Sequence, residues 1–415
     1  MDTEALMNTP TPATELLRGR DILCFSNDWN GDPLSKTHLM RLLARDNRVL
    51  WVNSIGYRTP TVSKADFGRA FRKLATATIP IREVEPNLFV FNPLAIPAYG
   101  RPILREINRR WLGWQIRRAM RGLGFRHVIN WIFNPAAAVI AGAFDEDLLI
   151  YYCVDEFTAF TGVTAQSLAA MEQDLLKRSD LVVVSADRLY KSKAPFNAKT
   201  VLVRHGVDHR HFRRALNPET RVPDEIAKLP HPRIGYFGLI AEDWVDIDLL
   251  VHVAERYPQG SLIMLGKSTM DVSRLAKLPN VHLLGRKPYA DLPAYSKGFD
   301  VALIPFPISE VTLNANPLKA REYLAAGLPV ISTAIPEVEV LGSCRIGHDP
   351  DEFVAEIEAA LADPGPNLER SEGIRSESWE ARIEELRAHM AELLGPAAGR
   401  ESLQSRNTAG STTHR

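Results

Sequence analysis

The chain has few cysteines. Cys24, Cys153 and Cys344 are the three among 415 residues. An odd count at wide spacing excludes a disulfide framework, and no pair has the spacing of a zinc site. Each sits among apolar neighbours, so reduced, buried thiols in a cytoplasmic protein are expected. Excess charge is also missing. Fifty basic side chains balance fifty acidic ones, which removes the field that bulk nucleic-acid binding needs, and no nucleic-acid partner is expected. No apolar run is long enough to span a bilayer: the longest, residues 128–144, is interrupted by Asn134-Pro135. Residues 1–20 lack the apolar core of a signal peptide and read as a loose leader. There is no G-x-G-x-x-G loop after the first strand. Asp246-Ile247-Asp248 has the form of a metal-binding D-x-D, but it opens a helical run, where first-turn carboxylates complement the helix dipole. Neither a metal nor a cofactor is expected.

What is present is enough apolar sequence for full cores, 45%, arranged as short strands alternating with helical runs. Asp21 to Phe25 is a compact apolar strand. A loop with Gly31, Asp32, Ser35 and Lys36 follows, then a helical run, then a strand at 49–52. This order predicts a parallel sheet with binding loops at the C-terminal strand ends. Further strands are expected at 127–133, followed by an Ala-rich helix, and at 148–154, 181–185 and 200–204. Asp155 stands at the end of one of them. A carboxylate there orients or deprotonates a hydroxyl, or it caps the next turn, and both readings stay open. His205-Gly206-Val207-Asp208 supplies a turn glycine and a capping Asp, with His205 read as a satisfied structural histidine. Residues 206–232, with Pro218, Pro223, Pro230 and Pro232, read as a linker.

Strands recur from Arg233 at intervals of about 20–30 residues, which argues for a second Rossmann-like domain over 233–375. Gly235 and Gly238 lie where a diphosphate can approach backbone closely, and Lys267 and Arg286 each follow a later strand. Residues 376–394 read as a C-terminal helix crossing back to the first domain (21–205), and 395–415 as a disordered tail. Between them lies one more feature. Residues 101–126 carry eight arginines and a single acid, Glu106, around two apolar tracks, Leu104-Ile107-Trp111 and Leu112-Ile116-Met120. Such a helix lies on an anionic membrane or packs on its own domain with a basic solvated face. Phe67 and Phe71, among Lys64, Arg69, Arg72 and Lys73, form a smaller companion.

The stretch 314–333, NANPLKAREYLAAGLPVIST, organises the rest. Asn316-Pro317 sets a helix start, Gly327 and Pro329 stop it, and Val330-Ile331 opens a strand. A helix N-terminus with Lys319 one turn in is a ready phosphate site. From Glu322 through Gly327-Leu328-Pro329-Val330 the stretch resembles the nucleotide-sugar site of retaining GT-B glycosyltransferases, in the N-P-L-K-x-x-E-Y-L-A-A-G form of the bacterial surface-polysaccharide, teichuronic-acid-type kind. The resemblance spans roughly residues 20–390. It implies two Rossmann-like α/β domains facing across a cleft, the acceptor on the first and the donor on the second. It implies that Glu322 holds the ribose, Asn314 the sugar, and Asn316, Lys319 and the local backbone the phosphates, helped by Gly235, Gly238, Lys267 and Arg286. Gly31, Asp32 and Lys36 fall on the acceptor side, and Asp155 and Lys319 are the catalytic candidates. The family has a Glu where this chain has Asn314, an Arg and a Lys after the strand ending at Gly238 where this chain has none, and often a His at the place of Val154 or Asp155. The donor implied is a nucleotide sugar, uridine favoured over guanosine. The acceptor is a saccharide or lipid-linked saccharide, with the protein in the cytoplasm or peripheral on the inner face of the plasma membrane through 101–126. Two rivals stay open: a nucleotide-sugar epimerase on the same fold, and a non-catalytic donor-binding scaffold.

Overall fold

The segments DILCF, RVLWV, VINWI and LLIYYC are apolar at consecutive rather than alternate positions, which suits strands covered on both faces. In the computed structural model, which describes residues 17–54, 81–94, 102–160 and 165–394, they form the middle of an eight-stranded sheet. Its strands are β1 (Asp21–Phe25), β2 (Arg48–Val52), β3 (Arg82–Glu85), β4 (Leu88–Phe91), β5 (Val128–Ile132), β6 (Leu148–Cys153), β7 (Leu181–Val184) and β8 (Thr200–Leu202). They run in the order β3-β4-β2-β1-β5-β6-β7-β8, parallel except for the β3–β4 pair. The second lobe is a six-stranded parallel sheet of β9 (Arg233–Phe237), β10 (Ser261–Leu265), β11 (Val281–Leu283), β12 (Val301–Ile304), β13 (Val330–Thr333) and β14 (Arg345–Gly347), in the order β11-β10-β9-β12-β13-β14. In each sheet the first strand is flanked by the strand that follows it and by a later one on the other side: β1 lies between β2 and β5, and β9 between β10 and β12. Loops leaving the C-terminal ends of two such strands diverge and leave a crevice.

The first sheet has a core on each face. Leu112, Ile116, Ala119 and Met120 of the helix Pro102–Gly122 belong to one. Leu39, Met40 and Leu43 of the helix Ser35–Leu43 share the other with Trp379, Ile383, Leu386 and Met390 of the C-terminal helix Trp379–Leu394, which therefore packs on the first lobe. The second track of the arginine-rich helix is thus core. Ile107, Trp111 and Trp114 stay exposed, and the two indoles stack at 5.4 Å.

Three local expectations change. No Ala-rich α-helix follows β5; Pro135–Val139 is a short 3-10 turn capped by Asn134, and Gly142, at φ 72°, already turns the chain toward β6. The 206–232 connection is not loose, because Val207, Phe212, Ala215 and Ile226 are buried in the second-lobe core. Lys36 lies within the first turn of a helix rather than in the preceding loop. The companion segment with Phe67 and Phe71, residues 1–16 of the leader and the 395–415 tail fall outside the described residues.

Candidate active site

A cavity of about 680 Å³ lies between the lobes. Its walls are the residues that leave strand ends: Asn27, Asp28 and Asn30 to Lys36 after β1, Val154 and Asp155 after β6, Gly238 after β9, Gly266 after β10, Arg286 after β11 and Phe306 after β12. The helix Leu318–Ala325 points its start into it, with Ala315, Asn316, Pro317, Leu318, Lys319 and Glu322 lining the wall. Pro317 occupies the N-cap position and makes no side-chain cap, so the first N–H groups of the helix stay available to an anion.

Lys319 lies across the end of β9. Its Nζ is 5.8 Å from the Tyr236 ring centroid and 5.7 Å from that of Phe306. A Cβ on Gly238 would collide with the Lys319 stem, and Gly238 holds φ 144°. Gly266 packs against the Gly238 carbonyl so closely that any side chain there would strike it. The two glycines bring bare backbone to the same corner as the ammonium. Burial lowers the Lys319 pKa, with Glu322 opposing that shift. Glu322, half-buried in the cavity wall, has its carboxyl pushed up to about 7 by burial, with Lys319 pulling down and Asp208 adding to the rise.

On the first-lobe side, Lys36 is buried with its Nζ 6.0 Å from the Phe133 ring centroid. Burial lowers its pKa while Asp155 and Cys24 work the other way. Burial raises the Asp155 carboxyl and Lys36 opposes it. Asp155, half-buried, lines the cavity just beyond the end of β6.

Several expected residues are used differently. Asn314 does not line the cavity: its Nδ2 donates to the Glu310 carbonyl at 2.7 Å, because it ends the short helix Glu310–Leu313. Gly235 is in the middle of β9 under the Phe299 ring, where a side chain has no room, so its role is packing rather than phosphate contact. Asn316 reaches the cavity but its amide is taken. Nδ2 donates to the Ser185 carbonyl at 2.7 Å and Oδ1 accepts from Arg321 Nη1 at 2.7 Å. It ties the helix to the first lobe instead of gripping a nucleotide. Arg286 and Asp32 both line the cavity and pair with each other across it, at 2.5 and 3.1 Å. Gly31 and Lys267 are exposed at the rim. Asp246 caps the helix Ile247–Arg256 by accepting from Leu249 N, Asp248 pairs with Arg274, and no group of residues suited to a metal occurs among those described.

His205 is where the sequence misleads most. It lines the cavity at 5% exposure, and its ring makes no hydrogen bond among the described residues, with Nδ1 shut off from solvent. Leaving a buried polar group unpaired costs about 1–3 kcal/mol. Gly266 was legible: it follows its strand as Gly238 follows β9. Nothing in the sequence marks Phe306.

The architecture is the GT-B fold, two Rossmann-like lobes with a cleft at the C-terminal strand ends. Residues 231–363, the heart of the second lobe, match the family described as "Glycosyl transferases group 1". The chain is similar to a Bacillus subtilis (strain 168) protein described as "Putative teichuronic acid biosynthesis glycosyltransferase TuaH", 25% identical over 258 residues, which are 57% of this chain and 64% of that one. The match thus spans under two thirds of the relative's length. Sucrose-phosphate synthase from Thermosynechococcus elongatus has a similar structure, with TM-score 0.63 and 17% identity, over 90% of this chain and 99% of that one. So has Anabaena HepE in complex with UDP, with TM-score 0.61 and 12% identity, over 90% and 100%. Among the described residues, no helix is long and apolar enough to cross a membrane.

Proposed function

We propose that this protein transfers a glycosyl group from a uridine diphosphate sugar to a saccharide or lipid-linked saccharide, with retention at the anomeric carbon. The observation that carries the reading is the convergence of Lys319, the uncapped start of Leu318–Ala325 and the bare backbone of Gly238 and Gly266 beside Glu322. A nucleoside diphosphate fits that corner with its ribose on Glu322 and its phosphates against Lys319 and the helix N–H groups. When the bond from the anomeric carbon to the diphosphate breaks, negative charge grows on the leaving oxygen. One fixed donor aimed at such charge is worth about 2.7–4 kcal/mol. Lys319 and the helix start supply it here, in a chain whose β9 loop brings no Arg or Lys. Asp155 orients the incoming hydroxyl or takes its proton, beside Lys36. The UDP bound by HepE supports uridine as the base.

The partner surface fits a bilayer. Exposed Ile107, Trp111 and Trp114 stand among exposed Arg109, Arg110, Arg117, Arg118 and Arg121 on one helix. That pairs apolar anchors with cations for anionic headgroups, where each basic residue contributes about 1 kcal/mol. A peripheral position on the inner membrane face would bring lipid-linked acceptors to the first lobe.

Calorimetric titration with UDP-glucose, UDP-galactose, UDP-N-acetylglucosamine, UDP-glucuronate and GDP-mannose tests the donor. Turnover on lipid-linked acceptors, with the product anomer read by NMR, tests transfer and retention. Binding of a UDP-sugar with acceptor-dependent UDP release is expected. Interconversion of the free donor, or binding without transfer to any acceptor, would contradict the reading.

A further inference from the structure

We infer that Lys193 is a positioning residue for the transfer step, whose buried ammonium tethers Glu156 and so holds the neighbouring Asp155 at the hydroxyl being glycosylated. The inference rests on the glycosyl-transfer reading above and names what fixes its acceptor-side carboxylate.

Asp155 stands on the segment that leaves β6 and runs on to Phe160, whose ring lies 6.0 Å from Trp244 of the other lobe. Residues 154–160 belong to no helix or strand, so side-chain ties set their course. The Val154 carbonyl accepts from Ser185 Oγ at 3.0 Å, and the Asp155 carbonyl from Cys153 Sγ at 3.3 Å. The Glu156 carboxylate accepts from Lys193 Nζ at 2.8 Å and from the Thr158 hydroxyl. Lys193 ends the helix Asp187–Lys193. Its Nζ also donates to Glu172 at 2.9 Å, and Glu172 accepts from Tyr151 Oη at 2.6 Å. Tyr151 is a residue of β6 itself. The tie therefore runs from the middle of the first sheet, through one ammonium, to the residue beside Asp155.

Its composition argues for positioning rather than stability. Lys193 and Glu172 are each more than nine-tenths buried. Two carboxylates on one ammonium leave net negative charge inside the lobe, and apolar side chains of similar volume often stabilise a core as well or better. What the ionic tie adds is one fixed geometry. Burial alone would lower the Lys193 pKa, but Cys153, Glu172 and Glu156 more than offset it, so the tether stays charged. Geometry matters at this point, because displacing a reacting group by about 1 Å can cost about 100-fold in rate.

The test uses the full chain, the UDP-sugar that the wild-type protein binds and the lipid-linked acceptor on which it turns over. Variants are Lys193→Met, Glu156→Leu and Glu156→Gln, the last keeping an oxygen for Lys193. In Lys193→Met and Glu156→Leu, kcat for transfer should fall tenfold or more, while UDP affinity and the donor KM stay within about twofold. Glu156→Gln should hold kcat within threefold of wild type. Added to Asp155→Asn, Glu156→Leu should lower kcat no further, because it acts through Asp155. Should both tether variants fail to fold, Thr158→Val replaces them. It takes one donor from Glu156 and strands no charge, and it should lower kcat threefold or more with UDP affinity kept. Parallel loss of kcat and UDP affinity, an unchanged kcat, or an additive double variant would overturn the inference. Wild-type turnover in Asp155→Asn would instead remove the Asp155 role on which it rests, and absence of transfer by the wild-type protein would remove the transfer reading itself.

Discussion

Glu322 and Lys319 share one turn of helix, and their behaviour is the sharpest residue-scale consequence of the cleft. The Glu322 carboxyl is raised to about 7 in the folded protein against an ordinary value near 4.5. A ribose diol donates best to the ionised form, so donor affinity should grow as pH rises through about 7, and Glu322→Gln should remove that dependence in titrations from pH 6 to 8.5. The stability sign follows from the same shift. A carboxyl raised on folding is penalised when ionised, fully above about 7 and not at all below its unfolded value. Glu322→Gln should therefore raise the apo melting temperature at pH 8 and leave it unchanged at pH 3.5, below the unfolded value. Lys319→Ala should lower turnover about 100- to 1,000-fold, the range for one lost oxyanion donor. Gly238→Ala, which drives a methyl into the Lys319 stem, should lower turnover similarly, and the double variant should be no worse than the more damaged single. Glu322, Lys319 and Gly238 were legible in the sequence because strand ends and helix starts are set locally. The displacement of Asn314 and the commitment of Asn316 were not. Both depend on partners brought in by tertiary contact, the Glu310 carbonyl on the preceding helix and Ser185 on the other lobe.

At the scale of elements, the helix Leu318–Ala325 is held by a buried network that spans both lobes. Glu337, 2% exposed, accepts from Arg204 Nε and Asp187 N at 2.7 Å each, and from Asn316 Nδ2 at 3.4 Å. Glu377 holds Arg321 at 3.1 Å, and also Arg382. These contacts fix where the helix N-terminus points. Glu337→Ala removes the carboxylate that Arg204 and the Asp187 N–H both donate to, while Asn316 keeps Ser185 and Arg321. It should cost about 1–3 kcal/mol in denaturant unfolding, less than a fully buried pair because the Arg204 side chain is 28% exposed, and slow turnover although Glu337 is not in the cavity wall. The Asp32–Arg286 pair is exposed on both sides, and such pairs contribute about 0–1 kcal/mol, so it marks the cleft mouth without locking it. The inter-lobe part of this wiring does not follow from local pattern, since Arg204 and Asp187 lie 133 and 150 residues from Glu337.

For the whole molecule, strand order was legible in kind. Consecutive apolar positions in β1, β2, β5 and β6 demand covered faces, and alternation with helices demands parallel crossovers. The packing of 206–232 onto the second lobe was hidden by its prolines, which suggested a linker although Phe212 and Ile226 are core residues. The exposed indole pair on Pro102–Gly122 predicts sedimentation with vesicles containing anionic lipid. That binding should weaken as salt rises, and should fall about tenfold or more in a Trp111→Ser, Trp114→Ser variant whose melting temperature is unchanged, because both rings lie outside the core. The account as a whole turns on where a nucleotide sits. A crystal structure of the complex with UDP measures that directly: the ribose should lie on the Glu322 carboxylate and the diphosphate between Lys319, Gly238 and the start of Leu318–Ala325. A nucleotide bound elsewhere, with that corner closed or filled by solvent, would contradict it.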